Sequence, residues 1–208
     1  AHPEVLVETE WVAEHLDDPK VRLIDTHIDP TSYEAGHIPG AVFWNGFETL
    51  LKPDWRINFD KDSIEELFSR SGIANDTTVI AYSDHNALAP WVFWFLKSVG
   101  HSDVRVLNGG RKKWITGGHA LSTDSPTVAT TTYTAQDPNP DLRALQEKVL
   151  AAVGQDNQVL LDVRTPEEYR GELFVLKPPQ GTERAGHIPG ATHLYYEEAL
   201  NEDDTFKS

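Results

Sequence analysis

Gly36-His37-Ile38-Pro39-Gly40-Ala41 recurs letter for letter as Gly186-His187-Ile188-Pro189-Gly190-Ala191, 150 positions later. A period of that length is too long for a solenoid and suits a duplicated domain. Upstream, Leu23-Ile24-Asp25-Thr26 pairs with Leu160-Leu161-Asp162-Val163 at an offset of 137. The second copy therefore carries 13 extra residues, which fall between Gly171 and Arg184. Two prolines and two glycines in that stretch make it read as a loop insertion.

In the first copy, short apolar runs alternate with helical patterns. Thr9 caps a helix through Leu16, with Val12 and Leu16 as i,i+4 partners. Val21 to Asp25, Ala41 to Trp44, Val79 to Tyr82 and Val104 to Leu107 read as buried strands. Asp62-Ser63-Ile64-Glu65 resembles a capping box for a helix to about Arg70, which Gly72 stops. An apolar helix runs through Lys97, and Gly109-Gly110 leads into a short helix containing Trp114. Such alternation predicts an α/β fold with a mostly parallel sheet flanked by helices.

The expected organisation is a first domain over 1–120, a linker over 121–141 rich in Ser, Thr, Pro and Asp, and a second copy over 142–208. That copy restarts with a helix from about Leu142 to Val153 and a strand from Val159 to Val163. Measured against the first, it ends before the counterparts of Tyr82 and Trp114, so it reads as incomplete. An open sheet edge is the expected result, covered by a companion segment or second chain, unless the sequence is a fragment.

A formal charge of −15 argues against nucleic acid or an anionic membrane as partner, because neutralising phosphates takes clustered Lys and Arg. The one dense basic run, Arg111-Lys112-Lys113, reads as a solvated helix face. Cysteine is absent, which excludes disulfides, thiolate metal sites and a cysteine nucleophile on this polypeptide. The nine histidines show no H-x-x-x-H spacing, so neither a metal nor another cofactor is expected. The longest apolar run, Trp91 to Leu96, is far short of a bilayer span, and no leader pattern opens the chain; the expected location is the cytoplasm.

Several residue patterns invite a functional reading. Ser83-Asp84-His85 carries the letters of a hydrolase triad, but three consecutive residues do not readily make both required hydrogen bonds. His37 and His187 sit in identical settings, which suits a structural turn, and Asp25 and Asp162 suit caps of the turns that follow their strands. Trp91, Phe93, Trp94, Phe95 and Leu96 read as core plus an inter-domain contact.

The paired H-I-P-G-A turns, each preceded by a strand-end Asp and a Tyr, and the later L-N-G-G-x-x-x-W of Leu107 to Trp114 resemble the rhodanese family. Residues 5–120 resemble a non-catalytic first domain of its tandem sulfurtransferases, and residues from about 141 to 208 the opening half of a catalytic second domain. The resemblance implies transfer of sulfane sulfur from a small anionic donor such as thiosulfate, through a cysteine persulfide, to an acceptor such as cyanide. The family's cysteine opens the loop after the third strand of the second domain, and no residue here occupies that place. Ser83 holds the corresponding position of the first domain and implies an inactive half. Arg164, in the Asp162-Val163-Arg164 turn, is the first candidate for holding the donor; pairing with Asp162 or Glu168 is its alternative role. Arg184 is a second candidate. Glu168 stands where mercaptopyruvate-type members carry Arg, which favours a thiosulfate-like donor. Asn86, Ala87 and Leu88 would face the partner domain by analogy, with Leu88 walling the active site. A non-catalytic interaction module is the rival reading.

Overall fold

A computed structural model describes residues 4–85, 87–174 and 177–208. They separate into unit 1, comprising the described residues up to 142 with 202–206 and 208, and unit 2, comprising the described residues of 143–201 with 207.

Unit 1 is built on a five-stranded sheet with all neighbouring strands parallel. Its strands are β1 (Leu6–Val7), β2 (Val21–His27), β3 (Val42–Asn45), β4 (Thr78–Tyr82) and β5 (Val104–Leu107), in the order β1-β5-β4-β2-β3. Apolar residues occur on both faces of the strands because both faces of the sheet are covered. Ile24, Val79 and Ala81 join one core with Trp44, Phe68 and Phe95; Leu23, Ile80 and Tyr82 join the other with Val12, Ile38 and Trp114. This is period-two alternation with a hydrophobic layer on each side.

The helices of unit 1 are α1 (Thr9–Glu14), α2 (Thr31–Ala35), α3 (Gly46–Leu50), α4 (Lys61–Arg70), α5 (Leu88–Ser98) and α6 (Gly110–Thr116). Two starts differ from the sequence expectation. Thr9 is the first helical residue of α1 and Glu8 is its cap, while α4 is capped by Asp60, whose Oδ1 accepts from Ser63 N at 3.0 Å. Asp60 precedes the expected box and satisfies an orphan amide of the first turn. Pro90 fits the third residue of α5 because a first-turn amide needs no intrahelical partner. At Gly72, φ is +70° and a Cβ would stand 2.4 Å from Val128, so only glycine suits the stop after α4.

Residues 121–141, expected as a linker, pack on unit 1. His37 and Ser122 exchange backbone hydrogen bonds of 2.9 and 2.8 Å. Thr131 Oγ1 donates to Ile73 O at 2.7 Å, and Ala135 N donates to Glu65 Oε1 at 2.9 Å. Tyr133 is buried edge-on against Phe68 at 4.6 Å, and burial pushes its phenol up to about 12. Low apolar content hid this strap from the sequence reading.

Unit 2 contains α7 (Gln146–Ala152), β6 (Leu161–Asp162), α8 (Pro166–Arg170) and β7 (Thr192–His193), with β6 and β7 parallel. Thr165 and Glu168 form a capping box on α8. Both α7 and β6 are shorter than expected. Unit 2 repeats the local geometry of unit 1. Tyr33 stacks on His37 at 3.9 Å and Tyr169 on His187 at 3.8 Å; each tyrosine hydroxyl donates to the carbonyl of the turn's alanine, Ala41 or Ala191, at 2.9 Å. Burial separates the copies: Ile38 is 0% exposed and Ile188 45%. Leu161 is likewise half exposed, whereas its counterpart Ile24 is flanked by β4 and buried in the core with Phe68 and Phe95.

All six tryptophans lie in unit 1, so their fluorescence reports its unfolding. In urea titrations Ile38→Ala lowers its stability by ~2–5 kcal/mol. Ile188→Ala shifts the same transition by less than ~0.5 kcal/mol.

Candidate active site

In an open parallel sheet, ligands bind beyond the carboxyl ends of the strands where the strand order reverses. Here the reversal lies between β2 and β4, so the loops after His27 and Tyr82 face the crevice. Ser83 opens the second loop and is 4% exposed. Its Oγ accepts from His85 N at 3.0 Å, and its carbonyl accepts from Arg111 N at 3.4 Å. Gly110 presses on that carbonyl so closely that a Cβ would stand 2.6 Å away. The cavity beside Ser83, lined by His85, Ala89, Gly109, Asp204 and Phe206, holds about 20 Å³. That is room for one water molecule and too little for a sulfur oxyanion.

Asp25 and His27 lie two residues apart at the end of β2, with His27 Nε2 2.7 Å from Asp25 Oδ1. Asp25 is wholly buried and registers with Tyr82, whose hydroxyl accepts from Ile38 N at 3.0 Å. Burial, then the Asp25 charge, drives the Tyr82 phenol far above its ordinary range. Strand alternation turns the Asp25–His27 pair and Ser83 to opposite faces, so they form no triad. Nor do Ser83, Asp84 and His85: His85 Nδ1 accepts from Ala87 N at 3.3 Å, and Asp84 pairs with Arg111 at 3.5 Å.

Arg111 also donates twice to Gly36 O, at 3.0 and 2.7 Å, tying the Ser83 loop to the H-I-P-G-A turn. Lys112 holds Glu202 O at 2.7 Å and Asp204 at 3.2 Å, and Lys113 pairs with Glu8. The basic run is a set of tertiary ion pairs rather than the solvated face expected from its letters.

Arg164 occupies the place of His27 at the 137-residue offset, a correspondence that the sequence held and that points to both residues together. Its Nε and Nη2 donate to the two oxygens of Asp162 at 3.0 and 2.6 Å, and Nη2 donates to Gly186 O at 2.9 Å. The Asp162 hydrogen bond holds the guanidinium above its usual range and the carboxyl below. Arg164 thus braces the second turn as Arg111 braces the first. Arg184 is exposed in the inserted loop. Leu88 begins α5 and faces Gly46, with Cδ2 3.7 Å from where a Cβ would stand, and it is not among the residues around the Ser83 cavity. Asn86 lies outside the described residues.

Burial pulls the His27 imidazole down, but the Asp25 hydrogen bond and charge, with the Asp84 charge, outweigh it and Arg111, and its affinity for the proton rises. Its stabilisation is full below about pH 6.5, the ordinary imidazole value, and fades as pH climbs through the higher folded value. In thermal melts, the wild type therefore loses stability relative to His27→Gln between pH 6 and 8.5; a constant difference would refute the pair's role.

Comparison with known proteins places this geometry. The Rhodanese-like domain family matches residues 8–116 and 145–208. The chain is 44% identical over 214 residues to the sulfur carrier protein TtuD of Thermus thermophilus, covering 100% of this chain and 75% of that one. It is 41% identical over 208 residues to a Saccharopolyspora erythraea protein named "Putative thiosulfate sulfurtransferase", covering 99% and 73%. Among solved structures, SseA of Escherichia coli, described as a 3-mercaptopyruvate sulfotransferase, superposes with TM-score 0.77 at 25% identity, over 98% of this chain and 79% of that one. The anaerobic ergothioneine biosynthesis enzyme of Chlorobium limicola, bound to trimethyl histidine, superposes with TM-score 0.80 at 26% identity, and this chain spans 55% of it. Two matched segments, two stacked Tyr–His turns and a parallel sheet agree: the chain belongs to the rhodanese-like family.

Proposed function

We propose that this chain is the larger part of a tandem rhodanese-type sulfurtransferase, with residues 142–208 forming the opening half of its catalytic copy. The observation that carries the reading is the half-built second copy. Its Tyr169–His187 turn and Asp162–Arg164 brace are in place, while Leu161 and Ile188 lie open where β4 and its helix cover their counterparts in unit 1. The relatives in which sulfur transfer or carriage is named are about a third longer, the chain spanning 75% and 73% of them. A companion segment with a β4-like strand and a cysteine-bearing loop fits that open edge.

In the completed protein a cysteine thiolate attacks the sulfane sulfur of thiosulfate. The sulfur–sulfur bond breaks toward sulfite and a persulfide remains. Cyanide then takes the terminal sulfur, forming thiocyanate and returning the thiolate. The donor is a small anion, and Arg164 holds it through Nη1, the nitrogen that its bonds to Asp162 and Gly186 leave over. Arg184 draws the donor in as a weaker second cation. The −15 formal charge supports a small-molecule donor over nucleic acid or a membrane surface. No described helix is long and apolar enough to cross a membrane.

Supplied with the companion segment, the protein releases thiocyanate from thiosulfate and cyanide, and the 208-residue chain alone releases none. A completed protein that binds a protein partner but forms no thiocyanate would replace this reading with the interaction module, which the closed Ser83 cavity favours. Ser83→Cys in the 208-residue chain stays inactive, because a cavity of about 20 Å³ excludes the donor. Thiocyanate formation by that variant would show that the first copy's loop can work without the second.

A further inference from the structure

His193 stands 150 positions after Phe43 and is its counterpart in the second copy. In unit 1, four residues of β2 register with four of β3, from Ile24 with Val42 to His27 with Asn45. In unit 2 the register of β6 with β7 ends two pairs earlier, at Asp162 with His193. Arg164, the counterpart of His27, thus lies past the end of its ladder. A side chain takes over what strand pairing does in unit 1: His193 Nε2 donates to Arg164 O at 2.9 Å. A carbonyl oxygen can only accept, so the imidazole carries its hydrogen on Nε2.

The imidazole is itself held in place. Tyr169 lies between two histidines, stacked on His187 at 3.8 Å and on His193 at 4.5 Å, whereas in unit 1 Phe43 meets Tyr33 at 5.3 Å with the rings tilted by 38°. His187 Nδ1 donates to Tyr169 O at 2.9 Å, and Arg164 Nη2 donates to Gly186 O at 2.9 Å. These contacts close a ring that runs from Arg164 through Gly186, His187, Tyr169 and His193 back to Arg164. Both ends of the arginine, its carbonyl and its guanidinium, are tied to one turn. A long, flexible side chain aims its charge well when the backbone that carries it is fixed as firmly as the head.

We infer that His193 is a positioning residue for donor binding: by holding the Arg164 carbonyl it fixes the direction in which the guanidinium presents Nη1 to the small anion. This rests on the function proposed above. The first copy does without the device, since the Phe43 ring has no hydrogen-bonding atom and His27 is already fixed by its pairing with Asn45. His193 acts through the main chain of Arg164 and not on the reacting sulfur, so its contribution falls on the binding of the donor and not on the breaking of its sulfur–sulfur bond.

Nitrogen-15 relaxation at Arg164 Nε tests the positioning in the 208-residue chain without relying on turnover. His193→Phe copies the residue of the first copy, keeps a ring against Tyr169 and removes the hydrogen bond; His193→Gln keeps an N–H at a similar reach. The order parameter at Arg164 Nε falls below ~0.6 in His193→Phe and stays at the wild-type value in His193→Gln. In the completed protein, His193→Phe raises KM for thiosulfate about fivefold with kcat within about twofold, and His193→Gln brings KM back to within about twofold of wild type. An order parameter or a KM that His193→Phe leaves unchanged, or a loss that His193→Gln does not rescue, overturns the inference even if sulfur is transferred. Arg164 order that depends on His193, in a completed protein that forms no thiocyanate, upholds the positioning and overturns the proposed reaction instead.

Discussion

A tyrosine stacked on a histidine holds the crossing of the chain on which unit 1 depends. Tyr33 lies flat on His37, receives the imidazole Nδ1 on its carbonyl at 2.9 Å and reaches with its hydroxyl to Ala41 O. The turn so closed delivers the chain from α2 into β3. Its Ile38 amide also donates to Tyr82 at the end of β4, which fixes the turn against the central strand. The Ser83 loop starts at the next residue, and Arg111 fastens it back to Gly36 O. The candidate site is thus positioned by one polar clip set into an otherwise apolar layer, where each buried donor and acceptor is costly to leave unmade.

The two copies separate what local sequence dictates from what tertiary cover dictates. Tyr169, His187 and Ala191 reproduce the clip in unit 2 with the same stacking and hydrogen bonds, although the turn there is exposed. The geometry is therefore written in the six repeated letters and the tyrosine before them. Burial depends on a strand along the other side of β6, and among the described residues unit 2 has only β6 and β7. The shortness of β6 has the same origin, since one neighbour rather than two holds it.

Much of unit 1 was legible because its strands are apolar runs and its turns carry glycine, proline and asparagine. The four expected strands appear, each displaced by no more than a residue or two at its ends. The misses share one cause, dependence on partners distant in the chain. The Ser- and Thr-rich strap gives little sign of Tyr133, whose burial is decided by Phe68 and His101. Arg111-Lys112-Lys113 looks solvated until Gly36, Asp84, Glu202, Asp204 and Glu8 are brought around it. The place of Arg164 at the end of its strand is legible in the letters, whereas its pairing with Asp162 rather than Glu168 follows from the folded geometry.

The short strand β1 pairs with β5, Leu6 beside Val106 and Val7 beside Leu107. Although β1 precedes the other strands of unit 1 in sequence, it is thus among the last that can be docked, because its neighbour follows some hundred residues later. Loop-closure entropy for so long a span must be met before the pairing returns anything, and topologies of this kind fold slowly. The strap over residues 121–135 comes later still and closes over Phe68 only once α4 is in place. During synthesis, therefore, the sheet of this unit is assembled from one edge across to the other, β2 with β3 first, then β4, β5 and finally β1. β1 meanwhile waits unpaired, a candidate for chaperones until residue 107 emerges.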